Sequence, residues 1–248
     1  MQPTPWLARK PSAVPRRMRL FCLSYAGGSA HAFAAWQEAL DPFVEVCAVQ
    51  LPGRGARFRE PPFTSMPALI EELGAVVDRY GDLPFAFFGH SLGGLMAFEL
   101  ARHCRAAGIR QPLHLFVSGA AAPQHRDPPE DKHKLPEDEF IAMLREYDGT
   151  PPELLEHQEL MTLVLPMLRA DFGMVEEYRY KPQPPLAMPV TVLAGTEDDR
   201  VVGPQVDGWA KETTGSCQVS WFEGGHFFLH THRAEVLRLV QRTLQSHL

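Results

Sequence analysis

The sequence predicts an α/β protein: a mostly parallel central sheet with helices on both faces, plus a helical insertion. Three observations carry this. Runs at 18–23, 43–49, 85–88, 113–118, 189–194 and 217–222 read as strands. Most are apolar throughout, as strands of a parallel sheet covered on both faces are, and helical patterns alternate with them. Between 124 and 185 no strand pattern occurs. Between the third strand and its helix stands Gly89-His90-Ser91-Leu92-Gly93, a Gly-x-Ser-x-Gly turn. With 248 residues, 45% hydrophobic and 22% charged, the chain can bury one large core. α/β folds of this size often form one domain, so 1–248 is read as one.

The elements follow in order. The first 17 residues hold Pro3, Pro5, Pro11 and Pro15 with Arg9, Lys10, Arg16 and Arg17. They lack the apolar stretch of a signal peptide and are expected to form a loosely packed tail. Strand 18–23 runs into Ser24-Tyr25-Ala26-Gly27-Gly28-Ser29-Ala30, then a helical segment over 31–40. Strand 43–49 ends in a loop, 50–58, rich in glycine and arginine. Ser65 followed by Pro67 marks a helix start with serine as cap. Leu69, Ile70, Leu73, Val76, Val77 and Tyr80 then recur at three- and four-residue spacing, which makes one apolar helix face. The helix after Ser91 ends near Gly108. Residues 206–211 fit a helix between the last two strands. An amphipathic helix over 231–245, with Val236, Leu237, Val240 and Leu244 on one side, closes the chain.

The insertion, about 124–185, is helical. Residues 125–134 form a charged loop, and 136–147 a helix with Phe140, Ile141, Leu144 and Tyr147 on its apolar face. Thr150-Pro151-Pro152-Glu153 has the form of a capping box with proline at the first helical position. Residues 160–168 are apolar almost all round, and Phe172, Met174, Val175 and Tyr178 continue that character. Extra core is one reading. A lid over the serine is the preferred one, since leucine and methionine suit a surface that covers a flexible apolar ligand.

Several classes are excluded. A net charge of −6 gives no global attraction to nucleic acid or anionic membrane. No apolar run approaches the ~18 residues of a membrane span. Cys22, Cys47, Cys104 and Cys217 are not at metal-ligand spacing and read as reduced core residues of a cytoplasmic protein. There is no Gly-x-x-x-x-Gly-Lys-Ser/Thr loop and no zinc-type histidine pair, so no cofactor and no metal are expected.

A serine hydroxyl needs a base in reach, and the base needs orienting. The sharp strand-to-helix turn would project Ser91 out of the backbone, with the Leu92 N–H and the positive helix end facing developing charge. In the α/β-hydrolase fold the serine is followed by an acid and then a histidine. Here Gly195-Thr196-Glu197-Asp198-Asp199-Arg200-Val201 follows one strand and Gly224-Gly225-His226-Phe227 the next. Both loops fall on the rim where ligands of open α/β sheets bind. Glu197, Asp198 and Asp199 compete as the acid. Asp198 is preferred on its Gly-x-x-Asp-x-x-Val spacing, with Asp199 the rival. His226 is the base. His230 and His232 read as cap or surface residues, and His90 as a neutral packing residue. A second oxyanion donor should come from the loop after the first strand: Ala26, with Gly27 second.

These residues together resemble a known family. Ser-Tyr-Ala-Gly-Gly-Ser-Ala at 24–30, Leu-Pro-Gly-Arg-Gly at 51–55, Gly-His-Ser-Leu-Gly-Gly at 89–94 and Gly-Gly-His-Phe at 224–227 match it in order. So do Leu135-Pro136, Thr150-Pro151-Pro152-Glu153 and Leu168-Arg169-Ala170-Asp171-Phe172. The chain resembles stand-alone type II thioesterases of polyketide and nonribosomal peptide biosynthesis. Tyr25 departs from the pattern, which has histidine there more often. The resemblance implies an editing hydrolase that removes acyl groups from the phosphopantetheine arm of carrier proteins. Ser91 would be nucleophile, His226 base and Asp198 its orienter, with Ala26 and Leu92 N–H groups as oxyanion donors. Carrier proteins are commonly acidic, so Arg54, Arg57 and Arg59 are candidate docking residues. A serine esterase or lipase, an acyltransferase, and a non-catalytic binding protein on the same scaffold are the alternatives.

Overall fold

Phe85 to Phe88 show how the sheet organises the molecule. In this computed structural model, Phe85 and Phe87 pack with the apolar cluster on one face of the sheet. Ala86 and Phe88 pack with the cluster on the other. Successive strand residues point to opposite faces, so a run apolar throughout is what a doubly covered strand requires. The structure describes residues 4–40, 43–126, 128, 130–147 and 149–247.

Among the described residues one sheet has seven strands: β1 (Leu7–Ala8), β2 (Met18–Leu23), β3 (Val44–Val49), β4 (Phe85–His90), β5 (Leu115–Ser118), β6 (Val190–Gly195) and β7 (Cys217–Phe222). Their order is β1-β3-β2-β4-β5-β6-β7. β2 to β7 pair in parallel and only β1 is antiparallel. This is the α/β-hydrolase architecture. The helices are α1 (Trp36–Leu40), α2 (Met66–Tyr80), α3 (Leu92–Ala106), α4 (Glu137–Tyr147), α5 (Pro152–Leu155), α6 (Gln158–Glu177), α7 (Gly203–Asp207), α8 (Phe228–Thr231) and α9 (Arg233–Gln245). α2 and α3 cover one face through Leu69, Leu73, Met96 and Phe98. Trp36 of α1 and Val236 and Val240 of α9 cover the other. Trp36 meets Phe88 with ring centroids 4.6 Å apart. The insertion has a cluster of its own, built on Phe140, Leu144, Leu165, Leu168 and Phe172. All four cysteines are free thiols, three of them buried. No helix among the described residues is long and apolar enough to cross a membrane.

Five expectations need correction. The segment read as a loose tail carries an edge strand: Leu7 pairs with Val49 and Ala8 with Ala48, and the Gln50 N–H donates to the Trp6 carbonyl at 2.8 Å. Three residues between Pro5 and Pro11 suffice to cover the edge of β3, a stretch too short to show a period. Pro3, read as part of that tail, lies outside the described residues. Ser65 does occupy the cap position of α2, but its side chain makes no capping bond. Thr150 is not a cap either. The residue before a proline avoids helical angles, so Pro151, at φ −54° and ψ 135°, takes the cap position of α5. The closing helix is divided at His232 into α8 and α9, and the 206–211 helix begins earlier, as α7, and continues as a 3-10 turn.

His114, just before β5, is buried. Its Nε2 meets Thr191 Oγ1 at 2.8 Å and its Nδ1 meets His247 Nε2 at 3.2 Å. Burial first, and His247 second, push its pKa down to about 4. The unfolded chain, with histidine near 6.5, therefore binds more protons than the native one as pH falls from about 6.5 towards 4. This contribution to stability is complete above that window and is lost on acidification through it. Thermal melts should show a smaller drop in Tm between pH 7 and pH 5 for His114→Gln than for the parent. Equal drops would sink the assignment.

Candidate active site

The serine turn is dictated by space. A Cβ on Gly89 would lie 2.0 Å from the Gly93 carbonyl oxygen, and one on Gly93 would lie 2.1 Å from the Leu23 carbonyl oxygen. No side chain fits at either position. Between them Ser91 adopts φ 55° and ψ −118°, a conformation that only surrounding structure can impose on a non-glycine residue. Its N–H donates to Ser118 O at 2.8 Å, which continues the β4–β5 ladder, and its carbonyl accepts from Gly94 N–H at 2.9 Å. Leu92 is the first residue of α3, so its N–H has no acceptor within the helix.

The acid and histidine loops are joined by their backbones. Glu197 N–H donates to Gly224 O at 2.9 Å, and a Cβ on Gly195 would lie 2.5 Å from that same oxygen. The contact brings His226 Nδ1 to 2.7 Å from Asp198 Oδ2. The Asp198 side chain is fully buried, and its Oδ1 accepts from Arg200 N–H at 3.0 Å. Glu197 and Asp199 are exposed. With Nδ1 on the carboxylate, Nε2 is the nitrogen left for chemistry, and His226 lines the same cavity as Ser91. His90 lies beneath. Its Nδ1 meets Ser118 Oγ at 2.9 Å, and burial, then the nearby His226 and His230, hold its pKa well below the ordinary histidine value.

Ala26 and Leu92 also line this cavity. Gly27 does not compete with Ala26, because its N–H donates to Asp171 Oδ2 at 2.8 Å. Tyr25 is held by Phe227 and by His230, a histidine whose sequence context points to a cap or the surface. Its hydroxyl meets His230 Nε2 at 3.2 Å, and its ring packs edge-on to Phe227 at 4.9 Å. Only the aromatic spacing after His226 hinted at this.

The cavity measures about 360 Å³. Leu144, Tyr147, Phe172 and Val175 of the insertion and Ala120 and Ala121 after β5 supply its apolar wall. Two of the three arginines considered for docking are not at a surface. Arg54 pairs with Asp171 through both guanidinium nitrogens and is buried. Arg57 is buried against Glu60 and over the Trp6 ring, 4.0 Å from its centroid. Arg59 alone is exposed. Arg200, beside the acid, reaches the insertion instead. It donates to the Tyr147 and Glu146 carbonyls at 3.1 and 2.9 Å, and its guanidinium sits 3.9 Å from the Tyr147 ring centroid.

Residues 18–244 match a family model described as "Thioesterase domain". The chain is 41% identical over 251 residues to Linear gramicidin dehydrogenase LgrE of Brevibacillus parabrevis, spanning 100% of this chain and 95% of that protein. It is 39% identical over 229 residues to Gramicidin S biosynthesis protein GrsT of Aneurinibacillus migulanus, spanning 92% and 90%. The solved structure of the type II thioesterase BorB from the borrelidin biosynthetic cluster superposes with a TM-score of 0.89 at 36% identity, covering 98% of each chain. The word dehydrogenase belongs to the name of LgrE. The cavity of this chain holds the Ser91 hydroxyl and the His226 imidazole, and the buried Asp198 carboxylate pairs with that imidazole.

Arg200 ties the C-terminal end of α4 to the acid loop with two bonds to terminal carbonyls and a cation–π contact. Together these are worth roughly 1–2 kcal/mol. Arg200→Ala should therefore speed amide hydrogen exchange over 137–147 by about 5- to 30-fold, at one decade per 1.4 kcal/mol. Unchanged exchange there would show that α4 is held by other contacts.

Proposed function

The chain belongs to the thioesterase domain family, whose members are hydrolases, and from that premise we propose that it is an editing type II thioesterase. It hydrolyses acyl thioesters carried on the phosphopantetheine arm of carrier proteins, through a Ser91–His226–Asp198 triad. The observation that carries this reading is the 2.7 Å contact between His226 Nδ1 and buried Asp198, with His226 lining the same cavity as Ser91. Relatives in gramicidin biosynthesis and the BorB structure support the choice of a biosynthetic acyl thioester over a free ester.

In this mechanism His226 Nε2 takes the proton of Ser91 Oγ as the oxygen attacks the thioester carbonyl. The carbonyl oxygen becomes an oxyanion, which accepts hydrogen bonds from the Leu92 and Ala26 N–H groups. Asp198 holds the imidazole in the required tautomer and stabilises the imidazolium. Collapse of the tetrahedral intermediate breaks the C–S bond, and the imidazolium returns its proton to the departing thiol. Water, deprotonated by His226, then attacks the acyl-Ser91 ester. The second collapse releases a carboxylic acid and restores the Ser91 hydroxyl. A thiol leaves readily, so modest activation suffices. An apolar wall discriminates weakly, since one methylene is worth about 1–3 kcal/mol, and weak discrimination suits an enzyme that clears many acyl groups.

Acyl-loaded carrier proteins with varied acyl groups, followed by mass, are the direct assay. Ser91→Ala should abolish acyl release, and turnover at the parent rate would overturn the mechanism. Release as an ester or amide of an added acceptor would make the protein an acyltransferase. Preference for oxygen esters over thioesters would make it an esterase. The two acids separate in the same assay. Asp198→Asn should lower kcat by about 10⁴-fold, the scale for loss of an orienting carboxylate, whereas Asp199→Asn should stay within a few-fold of the parent.

A further inference from the structure

We propose that Asp171 is a positioning residue for the oxyanion site, and that Arg54 is what allows a carboxylate to occupy that place. The proposal rests on Ser91 as nucleophile and Ala26 as oxyanion donor.

Asp171 lies on the insertion helix α6, and its side chain is fully buried. Both oxygens are used. Oδ2 accepts from Gly27 N–H at 2.8 Å and from Arg54 Nη1 at 2.6 Å, and Oδ1 accepts from Arg54 Nη2 at 2.8 Å. Arg54 Nη1 also donates to the Gly28 carbonyl at 3.2 Å. The pair thus grips two consecutive residues of the 24–30 loop, one by its N–H and one by its C=O. Leu168, three residues before Asp171, lies 2.7 Å from where a Gly27 Cβ would stand, and Gly27 has φ +78°. α6 therefore packs directly on the loop backbone. On the other side Tyr25 is held by His230 and Phe227. Ala26 sits between these two anchors, with its neighbour's N–H committed to Asp171.

Charge explains why the fork is needed. A bare carboxylate close to a site that must become an oxyanion would oppose the reaction, and a buried unpaired charge is itself costly. A bidentate guanidinium neutralises it while holding its direction. Two consequences follow. Losing Arg54 alone should harm turnover more than neutralising Asp171 alone, and neutralising both should recover part of the loss. The same helix places Phe172 and Val175 on the cavity wall, so the surface that meets the acyl group and the anchor of the oxyanion loop are one element.

The test uses the full chain with an acyl thioester substrate and a trifluoromethyl ketone analogue whose adduct with the serine carries an oxyanion. Asp171→Asn should lower kcat by about 10- to 100-fold with KM within about twofold, less than the loss of a whole oxyanion donor and typical of a donor displaced. Affinity for the analogue should fall by the same factor. Arg54→Gln should fall further, and Arg54→Gln with Asp171→Asn should exceed Arg54→Gln alone. Arg54→Lys, which keeps the charge and loses the fork, should fall between parent and Arg54→Gln. It supplies the comparison if Asp171→Asn does not fold. Folded variants with unchanged kcat and analogue affinity, or losses confined to KM, would overturn the proposal. A fluorophosphonate separates this from failure of the underlying reading. If it does not label Ser91 in the parent, the nucleophile is wrong. If it labels Ser91 and Asp171→Asn turns over like the parent, only the role of Asp171 is wrong.

Discussion

The Leu23 carbonyl stands where a side chain at Gly93 would be, and the whole site depends on that closeness. The end of β2 and the first turn of α3 can touch only through glycine. Their contact brings the loop that follows β2 alongside the N-terminus of α3, so Ala26 and Leu92 face one cavity. The strain at Ser91, of order 1–3 kcal/mol for such a backbone, is borne by the sheet on one side and the helix on the other. A looser crossing would relieve the serine and separate the two N–H groups.

Buried polar pairs then set positions that apolar packing cannot. Replacing a buried ion pair by hydrophobic residues is often neutral or stabilising, so Arg54 and Asp171 are poorly explained as a source of stability. What they provide is direction, because a planar fork on a carboxylate admits little freedom. His226 and Asp198 are related in the same way, with one ring nitrogen committed and the other left for reaction. His90 completes the set by remaining neutral. Its ring centroid is 5.2 Å from that of His226, and a charge there would oppose protonation of that second imidazole. Burial, acting before any neighbouring charge, keeps it uncharged.

The central strands, the serine turn and the helical character of the insertion were legible because each is a local pattern. β4 is buried at all six positions and reads as apolar up to Gly89-His90. α2 shows its period in Leu69, Ile70, Leu73, Val76 and Val77. Where local signals were short or ambiguous, the sequence misled. Two residues of edge strand are too few for any period to appear, and a threonine before two prolines resembles a cap that backbone angles forbid.

By itself, then, the sequence determined the order of the six parallel strands along the chain, the serine between two glycines, and the loops that bear an acid and a histidine. The tertiary structure decided which of three consecutive acids meets His226, since neighbours in a loop point in different directions and only Asp198 is buried. It also decided the fate of the arginines. Arg54 looks like a surface cation until Asp171, 117 residues later, is folded against it. Whether a charged side chain is solvated or buried depends on partners remote in the chain, and local composition holds no record of them.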